Sequence, residues 1–83
     1  GGDPAILVAA SAALIGIRRA KTEAKASQKT PVARLIVRGD DATIAALRLA
    51  EGDLKAVGRI SDLQLVGGGE ALVVDAVELA PEA

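Results

Sequence analysis

The chain has 83 residues, a mass of 8.3 kDa and a formal net charge of −1; 51% of its residues are hydrophobic, yet Phe, Tyr, Trp, Cys, Met, His and Asn are all absent. Those absences exclude disulfide stapling, thiolate or imidazole metal sites, histidine acid–base catalysis and base stacking on rings. One small domain over 1–83 is expected, and a domain of this size buries only about 60% of its unfolded surface, so association is expected to complete its core.

In chain order, Asp3-Pro4 reads as a helix start, because Asp caps free N–H groups and Pro at the first helical position loses no hydrogen bond. Ile6, Leu7, Ala10, Leu14 and Ile17 recur at spacings of three and four and predict an apolar stripe, with small residues between them that permit close packing on a sheet. The apolar run Ala5 to Ile17 has 13 residues. Spanning a membrane takes roughly 20, and Asp3 stands where a secretory signal carries cations. A cytoplasmic protein with no membrane contact is therefore expected.

Ala20 to Ser27 (A-K-T-E-A-K-A-S) alternates strictly and predicts a strand with one wet face, although Ala, Lys and Glu favour continuing the first helix. Gln28 to Pro31 is a turn or loop. Val32 to Val37 is a β-branched strand with Ala33, Leu35 and Val37 on one face and Arg34, Ile36 and Arg38 on the other. Gly39-Asp40-Asp41 caps a second helix with a stripe at Ile44, Leu47, Leu54 and Val57, weakened or broken near Gly52 and closed by Gly58. Arg59 to Val66 reads as a half-buried strand with Leu63 and Leu65 opposite Asp62 and Gln64. After the flexible Gly67-Gly68-Gly69, Ala71 to Leu79 is apolar on both faces except at Asp75 and Glu78, which predicts a central strand.

The order αββαββ becomes the βαββαβ cycle of the ferredoxin-like fold when its ends are joined. The expected class is α+β, a permuted ferredoxin-like sandwich of four antiparallel strands with two helices on one face and an open sheet face. Charge is polarised along the chain. Arg18 to Arg38 holds seven cations and one acid, and Gly39 to Ala83 three cations and nine acids, which suits contact between unlike patches of neighbouring subunits.

Four stretches carry a family resemblance. Leu35-Ile36-Val37-Arg38-Gly39-Asp40 resembles the strand-to-helix junction of the hexamer-forming shell proteins of bacterial microcompartments. Pro4 to Ala12 is similar to that family's first helix, Val57 to Val66 to its V-G-E segment and last strand, and Glu70 to Glu78 to its first strand, here placed last. The resemblance covers most of the chain as a circular permutant, with the glycine run at the join.

It implies a structural, non-enzymatic subunit that assembles into a hexameric ring inside a microcompartment, alongside other shell subunits. In that ring Ser27, Gln28, Lys29 and Thr30 line a small central pore, and Lys29 favours small anionic metabolites, as rings of charge do in pores. Arg18, Arg19, Arg38 and Asp40 fall at the subunit interface, with no cofactor and no metal. The restricted alphabet and the glycine joint also fit an engineered assembly scaffold. The alternative is a small ferredoxin-like ligand-binding or regulatory module that dimerises through its open sheet face.

Chemistry finds few other footholds. Asp40-Asp41 reads as a helix cap before a catalytic pair. The triple glycine precedes a strand and lacks G-K-[ST], against a phosphate cradle, and Arg38-Gly39-Asp40 is explained by the junction without a cell-adhesion role. Arg18, Arg19, Lys21, Lys25 and Lys29 could hold phosphate groups, but a solvated face or an interface accounts for them, and without rings or a basic total no nucleic-acid partner is expected.

Overall fold

The computed structural model describes residues 4–81. Its elements are α1 (Pro4–Glu23), β1 (Val32–Arg38), α2 (Asp41–Leu49), α3 (Glu51–Gly58), β2 (Ile60–Val66) and β3 (Val73–Leu79). The α+β class holds. The four-stranded antiparallel layout does not: the described residues form a three-stranded mixed sheet of order β2-β1-β3.

The missing strand is the alternating segment Ala20 to Ser27, whose first four residues extend α1. Ala9, Ala13, Ile17 and Lys21 are all buried, one every four residues. That stripe enters the alternating segment at Lys21, so helical burial and the helix propensity of Ala, Lys and Glu override the period of two there. The buried face is also rotated from the expected one. Leu7 is 71% exposed and small residues face inward, which brings the helix axis close to the sheet; a Cβ on Gly16 would lie 2.5 Å from Val74 Cγ2. Asp3, expected to cap α1, lies outside the described residues.

β1 is the central strand. It runs parallel to β2 (Val32 opposite Ile60, Leu35 opposite Leu63, Val37 opposite Leu65) and antiparallel to β3 (Val32 opposite Leu79, Leu35 opposite Val77). A parallel pair needs a crossover, which α2 and α3 supply. β3, expected to be central, is an edge strand; Val74, Val77 and Leu79 touch the core, while Asp75 and Glu78 stand on the open face. A register irregularity between Val32 and Arg34 turns Val32 inward with Leu35 and Val37, in place of Ala33. The largest fully buried side chains are Leu35, Leu47, Val32 and Val37, each worth about 1.5–3 kcal/mol of transfer free energy.

The expected break in the second helix is present, a little before Gly52. α2 ends at Leu49, and the Ala50 N–H donates back to Leu47 O (3.1 Å). On the open face Arg34 on β1 meets Asp62 on β2 (3.2 Å) and Glu78 on β3 (3.3 Å), tying all three strands. Among the described residues no helix is long and apolar enough to cross a membrane.

Candidate nucleic-acid interface

The buried stripe of α1 ends in a charge. Lys21 is only 5% exposed, and its Nζ donates to the Gln28 carbonyl at 2.9 Å. Burial pushes the Lys21 pKa below its ordinary value, and the nearby Arg59 guanidinium pushes the same way.

α1 closes just beyond this point. Lys25 N–H donates to Thr22 O (3.1 Å) and Ala26 N–H to Lys21 O (2.8 Å), with Lys25 at φ 58°. This is the Schellman pattern, in which the left-handed position normally belongs to glycine. The chain then turns through Ser27, whose Oγ accepts from the Lys29 N–H (3.1 Å), and Thr30 N–H donates to Ser27 O (3.0 Å). Gln28 reaches back to α1, donating from Nε2 to Thr22 Oγ1 (3.4 Å) and Arg18 O (3.5 Å).

The other wall is the end of α3. Arg59 caps it at φ 52° and ψ 50°, again left-handed. Its Nη1 donates to Lys29 O (3.3 Å), and its own carbonyl accepts from the Val32 N–H (2.9 Å), where β1 begins. Lys21 and Arg59 thus bind successive carbonyls of one loop, Gln28 and Lys29, and hold it from two sides.

Around this clamp Arg18, Lys25 and Lys29 are exposed, as is Arg59 itself. Arg19, also exposed, lines a groove between α1 and β3 with Ile15, Glu23 and Ala76. The end of the molecule formed by residues 18–29 and Arg59 has six cations against one acid, Glu23. Two helix C-termini add roughly half a negative charge each, which leaves the surface strongly positive. Exposed ammonium and guanidinium donors gathered from α1, the loop and the end of α3 are groups that can hold phosphate.

The residues singled out from sequence divide between the two ends of β1. Arg18 and Arg19 lie at the clamped end. Arg38 and Asp40 lie at the other, where Arg38 pairs with Asp75 (3.4 Å) and Asp40 Oδ1 accepts from the Thr43 N–H (2.6 Å), capping α2. The hydrogen bonds from Thr43 hold the Asp40 carboxyl below its usual range. Of the loop residues, Lys29 is exposed, Gln28 is turned back onto α1 and Thr30 is buried. Sequence reasoning missed Arg59 and the role of Lys21. The four-residue spacing of Ala9, Ala13, Ile17 and Lys21 was the available signal for Lys21; Gly58 marks the helix end at Arg59 but not its contact, because the carbonyl it binds belongs to Lys29, 30 residues away.

The glycine run and the R-G-D junction explain each other. Gly68 is at φ 84°, its N–H donates to Asp41 Oδ1 (3.1 Å), and a Cβ on Gly67 would lie 2.5 Å from that same oxygen. Gly69 N–H donates to Gly39 O (3.0 Å). Among the described residues no group of three or more acidic side chains is placed to hold a metal ion.

No family model matches the chain. It is 44% identical over 79 residues to a valine–tRNA ligase of Leifsonia xyli subsp. xyli, covering 94% of this chain and 9% of that protein. It is 44% identical over 80 residues to the valine–tRNA ligase of Thermobifida fusca (96% and 9%) and 32% identical over 75 residues to that of Cutibacterium acnes (90% and 9%). These matches overturn the resemblance to microcompartment shell proteins, and with it the hexameric ring, the shell-subunit partners and the metabolite pore assigned to Ser27 through Thr30. They equally replace the dimeric ligand-binding module. The four stretches that carried the resemblance are local solutions shared by unrelated folds: a capped strand-to-helix junction, an alanine-rich helix, a helix end feeding a strand, and an edge strand. The chain spans about 9% of the length of the curated relatives it matches, and what it is similar to, along nearly all of its own length, is a segment of valine–tRNA ligase.

Proposed function

We propose that these 83 residues act as one RNA-holding domain of a valine–tRNA ligase, with aminoacylation performed by other parts of the longer protein. The observation that carries this reading is the clamped cationic end: Arg18, Lys25, Lys29 and Arg59 exposed around a loop fixed by Lys21 and Arg59. The similarity to enzymes named for a tRNA substrate supplies the partner, and the expectation of no nucleic-acid contact is withdrawn with it. The charged groups at this end are hydrogen-bond donors suited to phosphate, not converging acids and bases, so the domain's part in the reaction is to position RNA. The cytoplasm is the corresponding setting.

The absence of every aromatic residue further defines the contact. With no ring to stack a base, the exposed Arg and Lys side chains bind chiefly through the phosphodiester backbone, where contacts carry no base sequence.

Filter binding of the 83-residue chain to a valine tRNA transcript tests this. With four or five phosphates neutralised, affinity falls by roughly 10² to 10³ between 50 and 200 mM salt, an unrelated tRNA transcript binds equally well, and Lys29→Glu weakens both. Absence of binding, or binding that ignores both salt and Lys29→Glu, overturns the reading.

A further inference from the structure

Two residues other than glycine hold a positive φ among the described residues, Lys25 at 58° and Arg59 at 52°. Both are cations, both close a helix, and both border the same loop. The left-handed conformation costs a side-chain-bearing residue roughly 1–2 kcal/mol, and glycine is the usual occupant of both positions. The strain has a local electrostatic offset, since a cation at a helix C-terminus is favoured by about 0.3–1 kcal/mol. That offset is smaller than the strain. Lys25 gains nothing else: its side chain is exposed and makes no hydrogen bond or ion pair among the described residues.

We infer that Lys25 and Arg59 are binding residues for RNA phosphate, kept in strained backbone positions because their cations are needed there. This rests on the function proposed above and assigns the site's two anchoring contacts. Lys25 closes α1 where the loop begins, and Arg59 closes α3 with its guanidinium on the Lys29 carbonyl (3.3 Å), so both exposed cations border the loop that carries Lys29. A glycine at position 25 would serve the fold as well or better and would hold no phosphate; at position 59 it would relieve the strain but lose the hydrogen bond to Lys29 O.

The assignment predicts a separation of stability from binding, which an ordinary structural residue would not show. Lys25→Gly is expected to leave Tm unchanged or raise it by a few degrees, while tRNA affinity drops about threefold to tenfold and the log–log salt slope shrinks by about one contact. Lys25→Gln, which keeps the strain and removes the charge, is expected to lose the same affinity with no gain in Tm. Arg59→Gly is expected to lose affinity similarly, its Tm benefit offset by the lost hydrogen bond to Lys29 O. If Lys25→Gly binds tRNA with the affinity and salt slope of the unsubstituted chain, or lowers Tm, the inference is overturned while the proposed function stands. If the unsubstituted chain binds no tRNA, both fall together.

Discussion

Gly16 on α1 and Val74 on β3 are in mutual contact at a distance that leaves no room for a methyl group. A Cβ on Gly16 would lie 2.5 Å from Val74 Cγ2 and 3.0 Å from its Cβ. Val is stiff at χ1, so the valine cannot swing away, and the helix or the edge strand must shift. Gly16→Ala gains about 1 kcal/mol of helix propensity and meets an overpacking penalty of typically 1–3 kcal/mol. The expected result is a net loss of up to about 2 kcal/mol in urea denaturation. Val74→Ala alone also destabilises, but added to Gly16→Ala it restores stability, giving a coupling of opposite sign to the single losses. Additive losses in the double variant would refute the close crossing.

Lys21 makes the stability of the fold depend on alkaline pH. Its pKa is lowered from 10.5 in the folded chain, so between the lowered value and 10.5 the unfolded chain binds more protons, and stability rises with pH there. Below the lowered value the cost of burying the ammonium is present in full. Lys21→Met removes the titrating group and leaves the Gln28 carbonyl without its donor, a loss nearly independent of pH. The difference in unfolding free energy between the unsubstituted chain and Lys21→Met should therefore grow in favour of the former as pH climbs from neutral toward 10.5. A flat difference would show that the ammonium is not desolvated.

At the acidic end the sensitive group is Asp40. Its carboxyl is held below the usual 3.8 by the hydrogen bonds from Thr43, so its contribution is complete above that value and disappears as pH falls through the lower folded one. The midpoint of urea denaturation should fall over that acidic range. Asp40→Asn keeps an acceptor for the Thr43 N–H but does not titrate, and its acid titration should lack this component. Identical titrations of the two chains would mean that the cap carries no charge-dependent stability.

How far the sequence disclosed this molecule differs from element to element. Val32 to Val37 was legible because β-branching and a buried run agree, and the break near Gly52 because glycine weakens a helix whatever surrounds it. Ala20 to Ser27 was not: its alternation is genuine, but its first residues complete a stripe laid down by Ala9, Ala13 and Ile17, and local pattern gives way to tertiary burial. The edge position of β3 was hidden for a related reason. Its apolar residues on both faces imitate a central strand, yet Val73 is half exposed and Ala76 borders the groove beside α1. At the candidate site the cations of residues 18–29 were visible as a run, with both a phosphate reading and a bland one available. What brought them to one end was the Schellman close at Lys25, which has no glycine to announce it, and the return of Arg59 from the end of α3, where Gly58 announced the helix end but not the contact with Lys29.

Two further glycines give opposite predictions from the same substitution. Gly52 lies in the first turn of α3 with nothing within 4 Å of where a Cβ would stand. There Ala adds helix propensity and reduces the freedom of the unfolded chain, so Gly52→Ala should stabilise by about 0.4–1 kcal/mol. Gly68 has equal space around it but sits at φ 84°. Ala must adopt the left-handed region there, at a cost of roughly 1–2 kcal/mol, and must still leave the N–H on Asp41 Oδ1. Gly68→Ala should therefore destabilise by about 1 kcal/mol after the unfolded-state gain is set against the strain. For a domain of this size each change corresponds to a Tm shift of several degrees, upward for the first and downward for the second. Equal shifts would mean that the glycine run between β2 and β3 does not hold the left-handed turn that binds it to the start of α2.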